Sequence, residues 1–285
     1  MLDRSSINRS LIRAIALAAA AYLASAGAQA FDDAMYPDWK GQWGRLGGGE
    51  WDPSKPRGLG QQAPLTAEYQ AVFEASLADQ ERGGQGNDPG YQCNPHGMPR
   101  IMIVIQPMEL VITPETTYAM LELFGQQRRI YTDGRAWPET LTPSSLGYSI
   151  GNWLDADGKG RYDTLVVETR GLKGPRSYDS SGLPFHQDGQ TVVKERISLD
   201  KANRDVLTNE ITVIDHALTR PWTVTRSYRR SKNPQPVWVE YVCSEDNHHV
   251  VIGKENYVLN SEGYLMPVRK GQPAPDLKYF DEAPK

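Results

Sequence analysis

After its first thirty residues this sequence has no long apolar run, no cysteine besides Cys93 and Cys243, no excess of positive charge, and no motif of the common catalytic folds. Each absence narrows the function. Without roughly 20 consecutive apolar residues, no membrane-spanning helix is expected. The start of the chain reads as a secretory signal: Arg4, Arg9 and Arg13 precede the apolar stretch AIALAAAAYLASAGA, and AQA ends at Ala30. Cleavage there leaves Phe31 first, with no cysteine at that point to take a lipid, so the mature chain is expected to be periplasmic or secreted. Losing three arginines and one aspartate takes the formal charge from -4 to -6. That balance gives no reason to expect nucleic acid as a partner.

Two cysteines in an exported chain are expected to pair as a structural disulfide, with a nucleophilic thiolate as the alternative. The bridge would close a very long loop, which places its stabilisation at about 4–5 kcal/mol in the chain-entropy account.

What is present is mostly strand. Residues 31–63 form an arm rich in Gly, Pro and Trp, with one short strand expected around Gln42. A helix is expected next: Thr66 is its N-cap, Leu65 precedes it, Tyr69, Val72, Phe73 and Leu77 recur at helical spacing, and Gly83-Gly84 stops it. From Arg100 onward ten short runs rich in β-branched and aromatic residues follow, from RIMIVIQP through DVLTNEITVID and WTVTRSYRR to VWVEYVCSED and ENYVLNSEG, separated by turns such as Asp133-Gly134 and Asp188-Gly189. The expected fold is all-β and mainly antiparallel, a lipocalin-like barrel or closed sandwich with one N-terminal helix, spanning 64–285 as a single domain. A barrel is favoured because it leaves no strand edges uncovered. In DVLTNEITVID the face Leu207, Asn209, Ile211, Val213, Asp215 is the better core candidate. In WTVTRSYRR, Arg226 shares a side with Trp222, Val224 and Tyr228, either at a barrel mouth, in a polar cavity, or on a solvated edge.

The segment DWKGQW, with Gly41 and Trp43, resembles the Gly-x-Trp opening of lipocalins, which implies a tryptophan plugging one end of a barrel. CNPHGMPR, RRIYTDGRAWPE, GYSIGNW, YDTLVVET, VVKERISL, ITVIDHALTRPWTVTRSYRR and EYVCSEDN together resemble a widespread group of secreted bacterial β-rich proteins of unknown function. That resemblance implies an exported β-rich domain and no particular activity. This chain departs from the group's pattern at His96, inside the Cys-to-Arg turn, and at the inserted DADGKGR before Tyr162.

Catalytic motifs are again notable for absence. The five histidines, His96, His186, His216, His248 and His249, form no H-x-x-x-H, H-E-x-x-H or H-x-H pattern, so a metal would have to be held by distant loops; none is expected. There is no G-x-S-x-G elbow, no Walker loop and no dinucleotide fingerprint. No cofactor is expected. What remains is acid–base chemistry: His96 and His186 as proton carriers, Glu122, Asp133 and Glu168 as carboxylates, and Arg100, Arg129 and Arg135 to stabilise an anion. In CNPHGMPR the two prolines, Gly97 and the bridged Cys93 would hold His96 and Arg100 on a rigid turn.

Seven Trp and fourteen Tyr against five Phe supply large rings with polar handles, suited to a cavity for a planar or amphipathic molecule and equally to a β core. The first expectation is a barrel binding a small hydrophobic or aromatic molecule through Trp39, Trp43, Tyr148, Trp153 and Arg226. The second is a cofactor-independent lyase, isomerase or hydratase in the same cavity, using His96, Arg100, Glu122, Asp133, Arg135 and His186. The third is a structural or partner-binding protein of the envelope.

Overall fold

The computed structural model describes residues 31–241, 243, 249–252, 255–259 and 264–276; the expected signal segment, His248 and the last residues of the tail lie outside the described residues. Two units are distinguished. The described part of the first, residues 31–35, holds a 3-10 turn over Asp33–Met35, and the second begins at Tyr36. The barrel belongs to the second.

Among the described residues, nine strands close that barrel in chain order: β1 (Gln42–Arg45), β2 (Met108–Ile112), β3 (Thr116–Leu121), β4 (Gln126–Tyr131), β5 (Tyr148–Leu154), β6 (Thr164–Arg170), β7 (Val192–Leu199), β8 (Val206–Ile214) and β9 (Trp222–Arg230). Every junction is antiparallel except β4 on β5, which is parallel. Parity explains the exception. An odd number of strands alternating up and down would bring β9 to β1 in parallel. One parallel step restores antiparallel closure, with Trp43 opposite Arg230 and Arg45 opposite Tyr228. The irregular crossover 132–147 makes that step by carrying the chain from one end of the barrel to the other.

The architecture is therefore the all-β barrel with one helix that the strand pattern predicts. The helix, α1 (Ala67–Glu81), begins as expected: the Tyr69 N–H donates to Thr66 Oγ1 at 3.4 Å. Gly83, at φ +84°, follows its last turn, in the left-handed conformation that glycine adopts without a steric cost. Phe73 is buried, while Val72 is 40 % exposed.

Several elements differ from expectation. The short strand expected around Gln42 does form, as β1, but it belongs to the barrel, which ends at Arg230. RIMIVIQP opens with a 3-10 turn, Arg100–Ile103, whose four residues are all buried and lack the alternation of a half-exposed strand. The segment VWVEY pairs with no strand and leaves Val237 and Val239 exposed. β5 comes from GYSIGNW, whose glycine weakens the strand signal. Beyond the barrel, β10 (His249–Ile252), β11 (Glu255–Leu259) and β12 (Leu265–Pro267) form a separate three-stranded antiparallel sheet.

The two barrel ends have different covers. The loop 171–191, the β8–β9 turn and α1 gather at one end: Leu65 bridges to Leu218, and the Thr66 N–H donates to the Ala217 carbonyl. At the other end lie the β7–β8 turn, the β5–β6 loop 155–163, and residues 36–41 leading into β1.

Candidate functional site

The barrel interior is filled. At the helix-covered end, Trp51, Tyr178, Phe185 and Trp222 pack together, with Tyr178 and Phe185 stacked at 3.8 Å. Arg226 is fully buried beside them and donates to the carbonyls of Gly48 (2.8 Å) and Glu50 (3.0 Å), so it pins the loop before α1 across the barrel mouth. This removes the solvated-edge reading of Arg226; burial lowers its pKa. Farther in, Arg128 makes a bidentate ion pair with Glu195 and also donates to Thr169 Oγ1 (2.9 Å) and Ser149 Oγ (3.3 Å), while Asn209 Nδ2 donates to Glu195 Oε1 (2.9 Å). Trp39 and Trp43 close the opposite end: the indole N–H of Trp43 donates to the Trp39 carbonyl at 2.9 Å, and the Arg230 guanidinium lies 4.4 Å above the Trp43 ring. What remains inside is a cavity of about 10 Å³, room for a single water. An organic ligand does not fit there.

The turn CNPHGMPR is pinned three ways. Cys93 is bonded to Cys243. Asp88 caps the 3-10 turn Pro89–Gln92 through the Gly90 N–H and holds Arg100 bidentately, and Arg100 also donates to Ser177 Oγ at 2.7 Å. Gly97, at φ +60°, rests on the crossover: the Met98 N–H donates to the Ser145 carbonyl at 2.8 Å, and a Cβ on Gly97 would stand 2.3 Å from that oxygen. His96 packs edge-on against Phe124, with Nδ1 shielded from solvent and without a hydrogen-bond partner among the described residues. Burial, and secondarily the Arg100 charge, lower its pKa to about 4 against the opposing effect of Asp88. His96 is therefore neutral at pH 7.

The other expected site residues scatter. Glu122 is buried and accepts the Val239 N–H at 3.1 Å. Asp133 and Arg135 form a local ion pair after β4, where Arg135 stacks on Tyr131 at 3.9 Å. Hydrogen bonding to Arg135 lowers the Asp133 pKa, and the same bond raises that of Arg135. Tyr148 lies on the barrel's outer face, its ring 4.9 Å from Tyr131, and Glu168 pairs with Arg170 and Lys194 on the surface. Trp153 packs on Trp39 at 4.9 Å. The Trp39 group and the CNPHGMPR turn therefore occupy opposite ends and cannot frame one mouth.

His186 is the exception, because it meets Asp188, two positions on, and His216, which no local motif marks. His216 Nδ1 lies 2.5 Å and His186 Nδ1 3.2 Å from Asp188 Oδ2, bringing two imidazoles and a carboxylate together from distant loops. Burial acts to raise the Asp188 pKa but is outweighed by the Gln190 N–H and the two histidines, so the net shift is downward. His186-x-Asp188 was the available sequence signal; His216 lies beyond β7 and β8.

A wide groove lies open on the outer surface. The β1–β2 ladder ends after Trp43 and Met108, and the chain before β2 peels away, leaving a groove of about 830 Å³. Gly44 floors it, with nothing within 4 Å of where a Cβ would stand; Ile105 is 73 % exposed on one wall, and Arg45, Arg229, Arg230 and Lys232 line it with Asp205. Arg230 pairs with Asp205, whereas among the described residues no carboxylate lies within ion-pair distance of Arg229 or Lys232. No protein-family model matches this chain, and no curated protein matches it.

Proposed function

We propose that this chain is an exported protein, periplasmic or secreted, that binds a small amphipathic anion in the groove beside β1. The observation that carries this reading is the contrast in space: about 10 Å³ inside the barrel against about 830 Å³ in the groove, a size in the range of small-molecule sites. The lining supplies the chemistry. Ile105, Pro107 and Leu46 offer apolar surface, and Arg229 and Lys232 offer cationic groups for a carboxylate or sulfonate. Export is supported by the leader pattern, by the disulfide, and by the resemblance to secreted bacterial β-rich proteins.

The acid–base alternative has less support. Both oxygens of Asp88, the carboxylate beside the His96 turn, are bound by Arg100, and Asp133 lies at the far end of the barrel.

Titration of the chain with 1-anilinonaphthalene-8-sulfonate, an amphipathic aromatic anion, tests the reading. One saturable site is expected, weakened about tenfold or more in the Arg229→Glu, Lys232→Glu double variant, a change of about 1.4 kcal/mol. Absence of a saturable site, or one indifferent to both charge reversals, sinks it. Native mass spectrometry of protein taken from its own cells would then identify a retained ligand by mass.

A further inference from the structure

We propose that His186, Asp188 and His216 form a binding site for one divalent transition-metal ion of the kind imidazole favours, Zn²⁺ or Cu²⁺. His186 and Asp188 stand in the loop before β7, and His216 begins the β8–β9 turn, so the fold assembles the trio from two segments at the helix-covered end. Their ligand atoms all lie within 4.8 Å of one another. Donors at 2.0–2.2 Å around a tetrahedral ion stand about 3.3–3.5 Å apart. The 3.2 Å between His186 Nδ1 and Asp188 Oδ2 is close to that spacing already. The His216 ring is 63 % exposed, and the 2.5 Å between its Nδ1 and the same oxygen has to open by about 1 Å.

The two segments are held in register by a buried carboxylate that is not itself a ligand. Asp215 Oδ1 accepts the N–H groups of His186 and Ala217, each at 2.9 Å, and Oδ2 accepts the Thr191 hydroxyl at 2.5 Å. One side chain thus fixes the backbones on both sides of the trio, and Arg176, donating to Thr191 Oγ1 at 2.7 Å, braces it from behind. The Tyr69 ring from α1 packs on His186 at 5.4 Å. A prepositioned donor set of this kind is what metal affinity requires. On binding, His186 Nδ1 exchanges the Asp188 N–H, now 3.1 Å away, for the ion. Two neutral imidazoles and one carboxylate leave the complex with one net positive charge, and the exposed side of His216 leaves the remaining coordination positions to water.

The trio shares no residue with the lining of the anion groove, so neither reading depends on the other. The test is isothermal titration of untagged, chelator-stripped protein with Zn²⁺, with His216→Gln and Asp188→Asn as variants. His216 is exposed, so its substitution leaves the fold intact, and metal-free melting temperatures confirm this for both variants. The expected result is one Zn²⁺ per chain, with affinity falling at least about tenfold in each variant. A wild-type chain that takes up no stoichiometric Zn²⁺, or uptake that survives both substitutions, overturns the proposal and leaves the trio as a surface ion pair.

Discussion

Arg128 and Glu195 meet inside the barrel as a bidentate ion pair, their side chains 1 % and 0 % exposed. The pair replaces what would otherwise be open volume, and it is satisfied on nearly every side by Ser149, Thr169 and Asn209. Deleting one partner leaves the other charged and buried. Arg128→Ala or Glu195→Ala is therefore expected to cost about 3–5 kcal/mol, measured by urea unfolding. The double replacement Arg128→Met, Glu195→Leu should cost much less than the sum, because no unpaired charge remains. A double variant as unstable as the two single changes added together would show that the pair does not act as a unit.

His96 gives a pH dependence of known sign. Its pKa is about 4 in the folded chain against an ordinary 6.5, so below pH 6.5 the unfolded chain binds more protons than the folded one. Its contribution to stability is complete above pH 6.5 and is lost as the pH falls to 4, by about 3 kcal/mol over that interval. Unfolding free energies measured at pH 7 and pH 4 for the natural chain and for His96→Gln should differ in slope by this amount. Equal slopes would mean that His96 protonates without cost.

The Cys93–Cys243 bond closes a loop with a sequence separation of 150. Replacing both cysteines by serine should lower stability by up to about 4–5 kcal/mol in the chain-entropy account. Chemical denaturation of the double variant measures the loss, and intact mass, lighter by two hydrogens than the reduced chain, verifies the bond in the natural protein.

Local patterns carried much of the fold. The alternation in β8 placed Leu207, Asn209, Ile211, Val213 and Asp215 on one face, and all five are buried. Thr66 marked the start of α1, and two cysteines in a chain expected to be exported implied their bond. Long-range register was less legible. In QQRRIY either arginine could have pointed inward, and the choice of Arg128 depends on a glutamate 67 positions away, brought opposite by ladders that no local window contains. The filled interior follows from that register as well, since the large rings that suggested an open cavity plug both ends instead. His186 and Asp188 stand two apart in the sequence, but His216 joins them only where the β8–β9 turn returns beside the loop before β7. The groove arises from a ladder that stops after two residue pairs, and no residue type announces such a gap.

Gly97 decides whether the turn between Cys93 and Arg100 is a pinned support. Two effects oppose a side chain there: the left-handed φ of +60°, and the Ser145 carbonyl oxygen 2.3 Å from where a Cβ would stand. Gly158 separates them, because it has a similar φ of +69° with nothing within 4 Å of its Cβ position. Gly158→Ala should cost only the backbone penalty, about 1–2 kcal/mol. Gly97→Ala should cost clearly more, since the clash is with backbone that also accepts the Met98 N–H, and moving it disturbs the contact between the turn and the crossover. Thermal unfolding of the two variants side by side measures the difference. If they lose equal stability, the turn yields without resistance, and His96 and Arg100 are not held by their docking on Ser145.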